Sequence, residues 1–276
     1  MAVEEWWSEE GLEFRRQGAV AWLVLDRPER RNAVTVKLRH ALREAIEETR
    51  DDPEIRAVVI AGNGTAFCSG ADLGEPDWIE TEPARRRGGQ ANIAREDGRH
   101  HGWWHVVKAI WENEKPFVAA VNGAAYGFGC NLALACDLVI AGESARFSEV
   151  FVKRGLPLEA GGAFWLAKYL SPARAKEMAL LGDPIDGARA EAWGLANRCV
   201  ADEELWTVAG DFAQRLADLP TIGVGHVKGQ VNDAFESTFE QVWKQEVSLL
   251  GIGIGGDQAE AMHAFIEKRE PRFTGR

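Results

Sequence analysis

The stretch KPFVAAVNGAAYGFGCNLALACDLVIA, Lys115–Ala141, decides how this chain is read. Phe117–Val121 is a short apolar run of the kind that forms a buried strand, and Leu138–Ala141 is another. Between them lie a glycine-bearing turn and the helix-like segment that ends near Asp137. Earlier in the chain the same layout recurs: the apolar run Ala57–Ala61 leads to CSGADL, Cys68–Leu73. Backbone N–H groups at strand-to-helix turns lack intrahelical partners and are free to hold an anion. Two of them converging on one oxygen from separate loops form an oxyanion hole.

Working outward, Leu12–Arg16 and Ala19–Asp26 read as strands with Gly18 as a hairpin signal. From Thr35 to Arg50 apolar residues recur at helical spacing, with Thr35 as N-cap. Further strands are expected at Ile55–Ala61, Ala145–Ser148 and Leu195–Val200. Helices are expected at Trp103–Glu114, Ala163–Leu170, Pro172–Leu181 and Gly187–Gly194. From Asp202 onward the pattern is helical, with breaks at Pro220–Gly225 and Gly251–Gly256. Strand–strand–helix units thus fill residues 1–200, and residues 201–276 form a mainly helical region. The charged segment Gly74–Gly102 is expected to be a surface element or a cover over a site.

The 276 residues are 46% hydrophobic, enough for a sizeable core, and carry a formal charge of −11. An acidic chain is a poor nonspecific ligand for nucleic acid or anionic membrane. No apolar run reaches the roughly 20 residues that span a bilayer, and the N-terminus has no basic segment followed by an apolar one. The four cysteines show neither CxxC pairing nor metal-ligand spacing, which fits buried thiols in a reducing, cytoplasmic setting. His100, His101 and His105 lie close together without a partnering Cys or carboxylate motif, and are expected to be surface or loop residues rather than metal ligands.

Six segments, in order, resemble the crotonase superfamily, the enoyl-CoA hydratase/isomerase family. They are LDRPERRNAV (Leu25–Val34), FCSGADL (Phe67–Leu73), the stretch Lys115–Ala141, ARFSEVFVKRGL (Ala145–Leu156), LLGDPIDGARAEAWGL (Leu180–Leu195) and AFIEKREPRF (Ala264–Phe273). The resemblance implies an α/β fold, a crotonase-like spiral of β-β-α units, with the helical C-terminal region building trimers or hexamers. It implies an acyl-CoA thioester as substrate, and no separate cofactor. The thioester oxygen would sit between the backbone N–H groups of Ala71 and Phe128. Such relatives usually have Gly where this chain has Phe128, so the Phe side chain needs a place, such as the acyl pocket.

The two glutamates that hydratases of this family use fall on Asn131 and Phe151 here. Neither side chain exchanges a proton near neutral pH. Glu159 stands where related isomerases and aryl-CoA dehalogenases carry an acid. The expected chemistry is therefore a 1,3-proton shift, with Glu159 as the shuttle and its pKa raised by burial among Phe151, Leu158, Phe164 and Trp165. A hydratase, a C–C hydrolase or dehalogenase with Glu159 as nucleophile, and a non-catalytic CoA-binding oligomer remain as alternatives.

By family position, Ala33, Ser69 and Leu73 would cradle the adenine and pantetheine. Arg30, Arg31, Lys268 and Arg269 would meet phosphate, and Asp72 would fix its loop or contact CoA. Asn131 either orients a substrate group or satisfies its own loop. Trp103, Trp104 and Trp111 would line a bulky acyl pocket or pack in the core, and Glu149 is expected to face solvent.

Overall fold

The computed structural model describes residues 4–74, 102–250 and 256–275. In chain order the strands are β1 (Glu4–Glu9), β2 (Leu12–Gln17), β3 (Val20–Leu25), β4 (Ala57–Gly62), β5 (Ala66–Cys68), β6 (Phe117–Val121), β7 (Ala124–Tyr126), β8 (Leu138–Gly142), β9 (Arg146–Ser148), β10 (Ile185–Asp186) and β11 (Arg198–Val200). The helices among the described residues are α1 (Val36–Asp51), α2 (Gly102–Glu112), α3 (Phe128–Ala135), α4 (Gly162–Tyr169), α5 (Pro172–Leu181), α6 (Gly187–Trp193), α7 (Leu205–Ala217), α8 (Thr221–Ala234), α9 (Phe239–Leu250) and α10 (Gly256–Glu267).

Two sheets result. A seven-stranded sheet runs β1-β2-β3-β4-β6-β8-β11, antiparallel at its first three strands and parallel from β3 onward. A smaller sheet runs β10-β9-β7-β5, with β5, β7 and β9 parallel. Strands β4, β6 and β8 of the first sheet are each followed by a short strand of the second: β4 by β5, β6 by β7, and β8 by β9.

The strands β3, β4 and β6 are buried throughout, as parallel strands covered on both faces must be. Their side chains alternate between two cores. Leu23, Val58, Ile60, Ala119 and Val121 join the larger core. Val24, Val59, Ala61, Val118 and Ala120 join a second one with Leu205, Ala209, Ala213 and Ala217 of α7. The first helix past residue 201 therefore covers the open face of the large sheet.

Most elements lie where the hydrophobic periodicity puts them, including the Thr35 cap, whose Oγ1 accepts from Leu38 N at 3.0 Å. Three corrections are physical. Strand β1 forms in an N-terminal stretch that carried no strand signal, because its partner β2 supplies the ladder. The break expected at Pro220–Gly225 is a helix start: Pro220 is the N-cap of α8, and Gly223 and Gly225 lie inside the helix. Gly225 is tolerated there because a Cβ would come within 2.9 Å of the Glu114 carbonyl oxygen. Third, β5 and β7 were hidden by their three-residue length. The segment 75–101, with His100 and His101, lies outside the described residues, as does 251–255.

Candidate active site

The C-terminal ends of β5, β7 and β9 lie side by side, because Cys68 pairs with Ala125 and Tyr126 with Ser148 in parallel register. Their exits, Ser69–Ala71, Gly127–Phe128 and Glu149–Phe151, consequently open at one edge. Ligands in α/β folds favour this end of parallel strands.

Ala71 bridges to Val34: Val34 N donates to Gly70 O at 2.8 Å, and Asp72 N donates to Val34 O at 3.0 Å. In a parallel bridge the flanking residues make the bonds, so the N–H of Ala71 itself points the other way. Phe128 opens α3, and its N–H has no intrahelical acceptor. Neither N–H finds a backbone acceptor among the described residues. The two loops touch. Gly70 has φ +100°, and a Cβ there would lie 2.9 Å from Tyr126 O and 3.9 Å from Phe128 N. Gly129 brings α3 onto β5 so closely that a Cβ would meet Cys68 O at 2.1 Å.

Ala71 and Phe128 both line a cavity of about 140 Å³, together with Ser69, Leu73, Phe151 and Glu159. Tyr126, Arg154 and Leu156 also line it and carried no sequence signal; their place at strand and turn ends is set by the small sheet. The Phe128 side chain is buried against Trp103, ring centroids 4.5 Å apart, and both rings border the cavity. The Arg39 guanidinium sits 5.1 Å from the centre of the Trp103 ring. Trp104 and Trp111 instead line a separate concavity with Phe164 and Trp165. Trp111 packs 5.4 Å from Phe164 and 5.3 Å from Trp165. Of the apolar neighbours expected around Glu159, Phe151 is thus in the cavity, whereas Phe164 and Trp165 turn toward α2.

Glu159 is half-buried at the cavity wall. Its carbonyl oxygen accepts from Gly162 N at 3.0 Å and from Asn131 Nδ2 at 2.9 Å. The next two residues have positive φ, +49° at Ala160 and +81° at Gly161. Asn131 is fully buried on α3 and is not among the residues lining the cavity. Its amide holds the turn that carries Glu159.

Glu149 reverses its expectation. It is fully buried, since it leaves β9 beneath α3 and the turn before α4. Burial pushes its carboxyl up to about 8, with the Cys130 thiol pulling part of the way back. Burial also pushes the Cys68 thiol up to about 12, and Cys130 and Cys136 well up. Thiols held that high are poor nucleophiles at neutral pH.

The loop Leu25–Val34 is stitched to the CSGADL loop by side chains. Arg27 pairs with Asp72 at 3.1 Å and Arg30 pairs with it at 3.5 Å. Asp72, 8% exposed, also accepts from Gly74 N at 3.1 Å. Ser69 N donates to Arg31 O, which places Arg30, Arg31, Ala33 and Ser69 together. Arg27 is an addition to the expected set; its partner is distant in sequence. Lys268 is exposed at the end of α10 and does not line the cavity, and Arg269 is engaged by Glu260. Among the described residues no His, Cys, Asp and Glu cluster has metal-ligating geometry.

The family model for enoyl-CoA hydratase/isomerase matches residues 15–276. The chain belongs to this family. As an enoyl-CoA hydratase/isomerase family member it is 37% identical over 269 residues to a Rhodobacter capsulatus protein named "Probable enoyl-CoA hydratase", covering 96% of this chain and 98% of that one. It is 35% identical over 258 residues to the 1,2-epoxyphenylacetyl-CoA isomerase of Escherichia coli, covering 93% and 95%. The crystal structure of an enoyl-CoA hydratase subunit from Geobacillus kaustophilus superimposes with a TM-score of 0.86 at 31% identity, covering 96% of this chain and 98% of that one. The fold is that of the crotonase superfamily, and the family places this chain among enzymes of acyl-CoA thioesters.

Proposed function

We propose that this family member is an enoyl-CoA isomerase that moves a double bond through a thioester enolate. The thioester oxygen lies between the N–H groups of Ala71 and Phe128, and the positive end of α3 adds to its stabilisation. Glu159 removes a C2 proton from a 3-enoyl-CoA. The electron pair delocalises onto the oxygen and through the double bond to C4. Glu159 then returns the proton to C4, giving the conjugated 2-enoyl-CoA. Atoms balance with no water consumed and no cofactor required.

The observation that carries this reading is a cavity edged, among the described residues, by the N–H-bearing turns at Ala71 and Phe128 and by the carboxylate-bearing Glu159. Phe151 stands where a hydratase glutamate would be, and Asn131 is committed behind the wall. The Escherichia coli relative, a 1,2-epoxyphenylacetyl-CoA isomerase by name, supports isomerisation of a CoA thioester within the family, on a different functional group. Arg30, Arg31, Ala33 and Ser69 serve the nucleotide end of CoA in this proposal, with Asp72 orienting Arg30. Lys268 serves it only if another copy brings it close. Self-association fits the exposed apolar side chains of α9 and α10, including Phe239, Phe265 and Ile266.

The test is proton exchange and product formation with 3-enoyl-CoA in deuterated water. The expected results are deuterium at C2 and C4 and conjugated product. Glu159→Gln should lose at least about a hundredfold in kcat, within the range general acid–base catalysis supplies, while still binding CoA. Fast hydration of crotonyl-CoA would instead select the hydratase. Halide release or C–C cleavage would select those chemistries, and binding without turnover would select a CoA-binding scaffold.

A further inference from the structure

Behind the cavity wall, Asn131 Oδ1 and both carboxyl oxygens of Glu149 are buried without a well-formed hydrogen bond. The two side chains meet at Gly162. A Cβ there would lie 3.0 Å from Asn131 Nδ2, 3.3 Å from Asn131 Oδ1 and 3.2 Å from Glu149 Oε2. Gly162 leaves room for this contact, and no larger residue would.

Donor counting assigns the proton. Asn131 Nδ2 donates to the Glu159 carbonyl, which fixes the amide orientation. Flipping the amide would set Oδ1 against that carbonyl, acceptor to acceptor. No N–H of the amide makes a hydrogen bond to a Glu149 oxygen, so Oδ1 faces inward and needs a donor, and a neutral carboxyl supplies one. Around Glu149 the titratable neighbour is the Cys130 thiol of α3. Asn131 of α3, Gly162 of α4 and Gly182 after α5 bring no charge.

We propose that Glu149 is a positioning residue for Glu159: as a neutral acid it donates to Asn131 Oδ1, and Asn131 holds the carbonyl of the turn that carries Glu159. This rests on Glu159 as the proton shuttle. The neutral state at physiological pH agrees with the burial described above. On ionisation the carboxylate faces Oδ1 acceptor to acceptor, the relay opens, and the turn loses one of its two carbonyl donors. The effect falls on kcat more than on KM, because Glu149 does not line the cavity.

Two variants test this, with 3-enoyl-CoA as the probe. Glu149→Gln keeps a donor and never ionises; its kcat at pH 7 should stay within about threefold of wild type, less than one hydrogen bond is worth. It should also lack the fall in kcat that wild type shows above pH 8. Glu149→Leu keeps bulk without a donor and should lose about tenfold in kcat at every pH, the worth of one neutral hydrogen bond, with KM unchanged. Loss of activity in Glu149→Gln as deep as in Glu159→Gln would make Glu149 a proton carrier and overturn the proposal. So would a wild-type alkaline limb in Glu149→Gln, or a wild-type kcat in Glu149→Leu.

Two readouts need no turnover and separate this proposal from the isomerase reading. The infrared carbonyl band of a neutral buried carboxyl should titrate near pH 8 in wild type and be missing in Glu149→Gln. A crystal structure of Glu149→Leu should show the Asn131 amide rotated or the Glu159 turn displaced. If no acyl-CoA is turned over, the isomerase reading fails alone. The relay falls if the band titrates in the ordinary carboxylate range or the Glu159 turn is unmoved.

Discussion

Gly70 shows how much of this site hangs on a single missing side chain. At φ +100° it adopts a conformation that L-residues rarely take, and a Cβ would press on Tyr126 O at 2.9 Å. That contact is the seam between the two loops that offer Ala71 N–H and Phe128 N–H. Gly70→Ala should therefore lower kcat by about 10²–10³-fold, the cost of a misplaced oxyanion donor, while far-ultraviolet circular dichroism stays native. Retention of wild-type kcat would argue that the two N–H groups do not act together.

At the same scale, Glu149 couples stability to pH. Its carboxyl titrates at about 8 in the folded protein against an ordinary 4.5. Between those values the folded state holds a proton that the unfolded chain has released. Its contribution to stability thus falls as pH rises from about 4.5 to about 8, and levels off above. Across pH 5 to 8, wild type should lose on the order of 3 kcal/mol relative to Glu149→Gln, measured by urea unfolding at both pH values. A parallel pH dependence in the two proteins would place the titration elsewhere. The carboxylate is visible in the sequence. Its burial is not, because it depends on α3 and the turn at residues 155–162 closing over the end of β9.

At the scale of elements, the three short parallel strands β5, β7 and β9 do the assembling. Strand β9 was legible at Ala145–Ser148, but the three-residue length of β5 and β7 gave no periodic signal, so the sequence showed the glycine turns without the sheet that aligns them. The Leu25–Val34 loop is held to the same edge by Asn32, which is fully buried at φ +54°. Its Oδ1 accepts from Arg27 N at 2.8 Å, and its Nδ2 donates to Asn63 O at 2.9 Å and Ala66 O at 2.7 Å. Asn32→Ala strands three backbone groups and should cost about 3 kcal/mol, read as a lower urea midpoint with an unchanged m-value. A loss below about 1 kcal/mol would mean that water replaces the amide there.

At the scale of the whole molecule, the large sheet is closed on one face by the main core and on the other by α7. Helices α9 and α10 carry the most exposed of the large apolar side chains among the described residues. Phe239 is 86% exposed and Phe265 81%, a surface that stays in water only at a cost in solubility. The double substitution Phe239→Asp and Phe265→Asp should shift the sedimenting species toward monomer. An unchanged mass, or a wild type that is itself monomeric, would remove these residues from any subunit interface. Among the described residues, no helix is long and apolar enough to cross a membrane.

The sequence by itself determined the family and the order of strand–strand–helix units, and it named the residues proposed to supply the two N–H groups and the carboxylate. Those features live in local strings: a glycine where φ turns positive, an apolar run, a Glu, Asn or Phe at a motif position. Only the tertiary structure decided that Asn131 faces inward to hold the Glu159 carbonyl, and that Glu149 is buried beside it. It likewise decided that Phe128 packs at a tilt against Trp103 while Phe164 and Trp165 turn to α2. The physical reason is that burial and hydrogen-bond partnership are properties of what packs against a residue. Here the partners come from strands and helices far apart in the chain.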